Sequence, residues 1–162
     1  MINHLRIDNR LIHGQVAVVW MNSIGASAII VCNDKVAADP LQKMALPLAA
    51  RGSKVLVLSI AELLQYDKEN PDETKFVICK NPTDALEVLE AGTEVEYVNV
   101  GNAAPVAGTQ YKMVTKSIAA TKEDAEVYQK IATLRGGVLK SRMIPTNEEL
   151  DFIKELQKAG LL

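Results

Sequence analysis

The stretch Ala28-Ile29-Ile30-Val31-Cys32 is apolar at every position, and so are Val55-Leu56-Val57-Leu58 and Phe76-Val77-Ile78-Cys79. A strand with one wet face alternates apolar and polar residues, whereas a strand covered on both faces is apolar throughout. These runs therefore predict a parallel sheet between two layers of helices. Working outward, strands are read at residues 2–7, 28–33, 54–58, 76–79, 97–100, 113–117 and 138–142. Helical patterns separate them. The alternation predicts an α/β fold: a single domain over 1–162, with a doubly wound open sheet of about seven mostly parallel strands and helices on both faces.

The helices mark their own starts. Asp39-Pro40 and Asn81-Pro82 each pair an N-cap residue with a proline at the first helical position. Ser59-Ile60-Ala61-Glu62 and Thr146-Asn147-Glu148-Glu149 fit the capping box, and Thr121-Lys122-Glu123-Asp124 is its aspartate version. Gly25, Gly52, Gly92, Gly136 and Gly160 stand where helices should stop. Leu41, Met44, Ala45, Leu48 and Ala49 mark one helical face, which Pro47 should kink or end, and Met44 is expected in the core. Leu150, Ile153 and Leu156 mark another. The long loop 101–111 follows a strand, which puts it at the carboxyl edge of the sheet, where ligands bind in such folds.

Composition removes several function classes. The net charge is −2, so no basic field for nucleic acid or anionic lipid exists. Hydrophobic residues are 48% and charged residues 23%, the balance of a globular rather than a disordered chain. Two Cys and two His are too few for a Cys-rich or three-His zinc site, so no metal is expected. Cys32 and Cys79 sit in apolar runs and read as buried thiols in a reducing compartment. The longest apolar stretch, 16–21, is far short of a membrane span, and charges near the N-terminus argue against a signal peptide. A cytoplasmic location is expected, with peripheral association with a membrane complex left open. No nucleotide-binding glycine loop, phosphate loop or serine-nucleophile elbow is present, so no cofactor is expected.

The chemistry concentrates in the first βα turn, Arg6-Ile7-Asp8-Asn9-Arg10-Leu11-Ile12-His13-Gly14-Gln15-Val16, before a helix predicted over 15–21. A neutral imidazole is a good nucleophile near pH 7. At a helix N-terminus the dipole keeps it neutral and free backbone N–H groups face an incoming phosphate. His13 is thus the candidate phosphoacceptor and Arg10 the candidate phosphate clamp. Asp8 could accept the second ring N–H and orient the imidazole. Gly14 and Gln15 are candidate phosphate-binding positions, with Arg6 and Asn102 as weaker members of that set. The same three side chains also describe an ordinary ion-paired turn around a structural histidine. Two other functions fit the residues: a histidine-type phosphatase or mutase, which needs His4 as a second imidazole, and a non-enzymatic flavodoxin-like module binding a ligand or partner through 101–111. His4 itself reads as structural or surface.

The turn, with Trp20 after it, resembles the active-site segment of the IIB component of the mannose/fructose/sorbose family of bacterial sugar phosphotransferase systems. Ile29-Ile30-Val31-Cys32-Asn33-Asp34 with Ala38-Asp39-Pro40, and Asn99-Val100-Gly101-Asn102, resemble further family segments. The resemblance implies that His13 receives phosphate on Nδ1 from a phosphohistidine of a IIA protein or domain and passes it to a sugar. Arg10 would bind the phosphoryl group and Asp8 support the loop. Sugar recognition and translocation would belong to IIC and IID membrane subunits. Two positions depart from the pattern. Asn9 stands where the family often has a carboxylate, and Ala103-Ala104 stand where it often has Met-His. Ile12, Val36 and Met44 are conceivable apolar contacts for the donor. The sugar's identity is not encoded in these motifs.

Overall fold

The structure is a computed structural model that describes residues 1–50 and 52–162. Its elements in chain order are β1 (Ile2–Asp8), α1 (Gly14–Ile24), β2 (Ala28–Cys32), α2 (Asp34–Ala37), α3 (Pro40–Ala45), a 3₁₀ turn (Leu46–Ala49), β3 (Val55–Leu58), α4 (Ile60–Glu69) and β4 (Lys75–Cys79). Then come α5 (Pro82–Glu90), β5 (Val95–Asn102), β6 (Lys112–Thr115), β7 (Ile118–Ala120), α6 (Lys122–Leu134), β8 (Lys140–Ser141), β9 (Leu150–Asp151) and α7 (Phe152–Lys158). The main sheet has seven strands in the order β3-β2-β4-β1-β5-β8-β9. All its pairings are parallel except that of β8 with β9.

Every residue of β2 and β4 is buried, as the apolar runs 28–32 and 76–79 require, and Lys75 at the start of β4 is buried with its ammonium paired to Asp67 at 2.8 Å. Successive side chains alternate between two cores. Ile30, Cys32, Val77 and Cys79 join Leu63, Leu86, Tyr128 and Phe152 on one face. Ile29, Val31, Phe76 and Ile78 join Ala17 and Trp20 of α1 on the other. Cys32 and Cys79 are free, buried and paired in register on neighbouring strands.

Four expectations are corrected. The strand read at 113–117 lies outside the main sheet: β6 pairs antiparallel with β7 in a separate hairpin, which meets the residue after β5 through one isolated bridge, Ala103 to Ile118. The segment between β5 and β6 is too short for the crossover that a parallel strand needs, so a hairpin forms instead. The capping box at Thr146 starts no helix. Strand pairing takes Leu150 and Asp151, α7 begins at Phe152 with Asp151 as its cap, and Glu149 is used by the Tyr97 hydroxyl and Arg142. The strand read at 138–142 shortens to β8, leaving Val138 exposed.

The fourth concerns α3. Pro47 ends it at Ala45 as expected, but the helix buries none of its residues. Met44 is 69% exposed, and Leu41 and Leu48 are each 72% exposed. So short a helix, stopped by proline beside the edge strand β3, has no second layer to pack against. Ile12 and Val36, in contrast, are core residues and present no contact surface.

Candidate active site

In β1 the period of two places His4, Arg6 and Asp8 on the face that α1 covers, while Leu5 and Ile7 join the opposite core. The chain then turns through residues 9–13. Leu11 takes a left-handed conformation, φ 64°, and its N–H bonds the Asp8 carbonyl at 3.0 Å. Leu11 and Ile12 are buried, which anchors the turn and leaves His13 outside it. His13 is exposed at the N-cap position of α1, and its side chain caps nothing. Gly14 follows at φ 51°, a conformation that favours glycine. The first turn of α1 carries no acidic side chain, and the Gly14 and Gln15 N–H groups have no partner among the described residues. This end of α1 is therefore open to an anion.

Asp8 holds two arginines. Arg10 donates from Nε to Oδ1 at 3.1 Å and from Nη2 to Oδ2 at 2.9 Å, and its backbone N–H adds a third bond at 3.0 Å. Arg6 donates from Nε and Nη2 to Oδ2 at 3.3 and 3.2 Å. The expected contact between Asp8 and the imidazole is not formed; no hydrogen bond joins Asp8 to His13 among the described residues. Arg6 and Asp8 are each 1% exposed, whereas Arg10 is 22% exposed. Arg6 is thus sealed away from any phosphate and serves the scaffold. Burial lowers its pKa from the ordinary range while Asp8 pulls it back up. Arg10 keeps the exposed edge of its guanidinium. Two arginines against one carboxylate leave a net positive charge in the turn that leads to His13.

Residues far along the chain complete the scaffold. Arg6 Nη1 donates to the Arg142 carbonyl at 3.3 Å, and both arginines reach Met143 Sδ, at 3.5 and 3.6 Å. Trp20 Nε1 donates to the Met143 carbonyl at 2.8 Å. Asn99 brackets Arg142 with two bonds of 3.0 Å to its backbone. Gly101 passes so close that a Cβ there would overlap the Arg6 guanidinium. Asn102 is buried and, with its amide oriented as its neighbours demand, accepts from Arg10 Nε at 3.0 Å and donates to the Ser117 carbonyl at 3.1 Å. It steadies the clamp rather than facing phosphate. Gly101 was legible only as part of a family-like turn, and Arg142 and Met143 escaped the sequence reading, since nothing local to them signals a contact with β1.

Asn9 binds both backbone groups of Ala104, each at 2.9 Å, tying the turn to the loop after β5. An amide can do this with one donor and one acceptor, which a carboxylate cannot. His4 is buried against Trp20, Phe76 and Tyr97, with ring centroids 4.5, 5.4 and 4.9 Å away. Its pKa is pushed down to about 3 by burial first, then by Arg6 and Arg142. His4 is thus a structural residue, and a phosphatase-like pair of imidazoles is not assembled. Among the described residues no group of three or more metal-ligating side chains occurs and no helix is long and apolar enough to cross a membrane.

Comparison with known proteins shows the family and the fold. Residues 2–162 match the family described as the PTS system sorbose subfamily IIB component. The chain is 32% identical over 158 residues to the sorbose-specific EIIB component of Klebsiella pneumoniae, covering 96% of this chain and 94% of that one. It is 34% identical over 165 residues to the mannose-specific EIIAB component of Escherichia coli, covering 98% of this chain but 50% of that one. The crystal structure of the IIBSor domain of the Klebsiella pneumoniae sorbose permease superposes with a TM-score of 0.88 at 31% identity, covering 98% of this chain and 97% of that one.

Proposed function

This chain belongs to the sorbose subfamily of PTS IIB components, and we propose that His13 is the residue on which it carries the phosphoryl group. As a IIB component it is a phosphocarrier of mannose/sorbose-type sugar transport, a protein-phosphohistidine–sugar phosphotransferase that works with IIA and IIC/IID partners of its system. In our reading, residues 1–162 act as one carrier domain at the cytoplasmic face of the membrane. A phosphohistidine of IIA presents its phosphorus to Nδ1 of His13. The donor N–P bond breaks as the bond to His13 forms. A sugar hydroxyl held by the IIC/IID complex then attacks the phosphorus, the P–Nδ1 bond breaks, and the hydroxyl proton passes to the ring, which leaves as a neutral imidazole. The mannose-specific relative of Escherichia coli is an EIIAB component, which supports IIA as the donor.

Phosphoryl transfer asks a protein mainly for position and charge neutralisation. Arg10 supplies the charge, and the open end of α1, at Gly14 and Gln15, supplies N–H groups. Asp8 acts on Arg10 rather than on the imidazole, and Arg6 and Asn102 act behind it. The observation that carries the reading is an exposed histidine without a capping bond at the open end of α1, three residues along the same turn from a carboxylate-held arginine. The test is incubation with radiolabelled phosphoenolpyruvate, the general carriers and a cognate IIA. Label on the wild-type chain should be acid-labile and base-stable, and absent from His13→Ala. Label retained by His13→Ala would overturn the assignment.

A further inference from the structure

A second feature of the carboxyl edge is not used by the transfer chemistry. The chain leaves β1 toward the α1 face, whereas it leaves the neighbouring strand β4 toward the face where α5 packs. Diverging connections open a crevice at the carboxyl ends of such strands, the usual ligand position in open α/β sheets. Here that crevice is a cavity of about 350 Å³ bounded by Ile7 and Asn9 at the end of β1, Pro82 after β4 and the loop after β5. That lies at the lower end of small-molecule pockets, roughly 300–1,000 Å³.

Tyr128 of α6 lines this cavity and is 1% exposed, yet its hydroxyl has no hydrogen-bond partner among the described residues. Burial pushes the phenol's pKa up, so it stays protonated and able to donate. The hydroxyl is not among the fully buried unpartnered atoms, so it opens onto the cavity as a free donor that a bound oxygen can accept from. The other polar groups carry both signs. Lys80 offers an ammonium. Asn81 spends its carbonyl oxygen on the Asp84 N–H, which leaves its amide N–H groups as donors. Asp124 spends one oxygen on the Thr121 N–H and keeps the other. Between them lies an apolar wall that includes Ile7, Pro82 and Val106. Donors and acceptors around an apolar wall, with a carboxylate to repel anions, suit a neutral ring bearing many hydroxyls.

We propose that this cavity is a subsite on the carrier itself for a neutral monosaccharide, coupled to the phosphoacceptor turn through the clamp of Asn9 on Ala104. The identity of the ligand rests on the carrier reading above; its binding requires neither His13 nor the membrane subunits. Sorbose, mannose, fructose and N-acetylgalactosamine are the probes, since relatives are specific for them. Each is titrated into the isotopically labelled, unphosphorylated chain and followed by amide NMR, with glycerol and a hexose 6-phosphate as controls. At least one sugar should give saturable shifts at Ala104, Thr109, Tyr111 and Thr121. Tyr128→Phe should weaken binding about fivefold, the loss of one hydrogen bond. Ala119→Leu, which fills the cavity, should abolish it, and His13→Ala should leave it unchanged. Retained thermal unfolding of Tyr128→Phe shows that the variant is folded. No saturable shift with any sugar up to tens of millimolar, equal shifts with glycerol, or a preference for the hexose phosphate would overturn the subsite. Label on His13 without sugar binding removes the subsite alone, and sugar binding without label on His13 removes the carrier assignment alone.

Discussion

Asp8 grips Arg10 with both carboxylate oxygens while the same carboxylate neutralises the fully buried Arg6. One side chain therefore couples the stability of the strand to the position of the phosphate clamp. Removing it should damage both at once.

Asp8→Ala leaves the Arg6 guanidinium buried with no carboxylate, and breaking a buried pair this way costs about 3–5 kcal/mol. Urea unfolding should report a loss of that size. Phosphate uptake by the folded fraction should also fall, because Arg10 loses its anchor. A variant as stable as wild type would show that Arg6 is neutralised by another group.

Arg10→Ala is expected to behave differently. Arg10 is 22% exposed and its partner keeps Arg6, so folding should change by no more than about 1 kcal/mol. The transfer rate from phospho-IIA, followed by rapid quench, should drop roughly 100-fold or more, the scale seen when one charge-stabilising donor is removed. Arg10→Lys should recover only part of it, since an ammonium cannot span both Asp8 oxygens.

Gly101→Ala tests the close approach of β5 to Arg6. The added Cβ would occupy the guanidinium's place. Overpacking of this kind costs about 1–3 kcal/mol. The displaced Arg6 should also shift the NMR signals of Asp8 and Arg10, although residue 101 touches neither phosphate nor His13. Wild-type stability and spectra in this variant would contradict the packing described.

His4 makes stability depend on pH. Its pKa is near 6.5 in the unfolded chain and lowered to about 3 in the fold. Between those values the unfolded state binds the extra proton, so stability falls as the pH falls from 6.5 toward 3. The slope from this group is about 1.4 kcal/mol per pH unit. Above pH 6.5 both states are neutral and the contribution vanishes. His4→Phe keeps an aromatic ring against Trp20 and Tyr97 and should flatten that slope in unfolding measured at pH 7, 6 and 5. Identical slopes in the two proteins would place the acid sensitivity elsewhere.

The features legible from residue order alone were local in origin. Apolar runs declared strands buried on both faces, because a strand's period shows what covers it. Asn81, Ser59 and Thr121 declared helix starts, because a cap bonds within three residues of itself. The phosphoacceptor motif, with His13, Arg10 and Asp8, lies in one continuous turn and was readable for the same reason. Thr146 shows the limit: its spacing was right for a cap, but pairing of Leu150 with Ser141 claimed the segment first. Met44 shows another, since helical periodicity defines a face without saying whether anything packs on it. Long-range packing set which partner Asp8 takes, why Arg6 is sealed, and that Gly101, Arg142 and Met143 hold the arginines from more than 90 positions away. Those contacts follow from strand order and crossing loops. A buried charge accepts whichever counter-charge the folded neighbourhood supplies, and no local pattern names that neighbour.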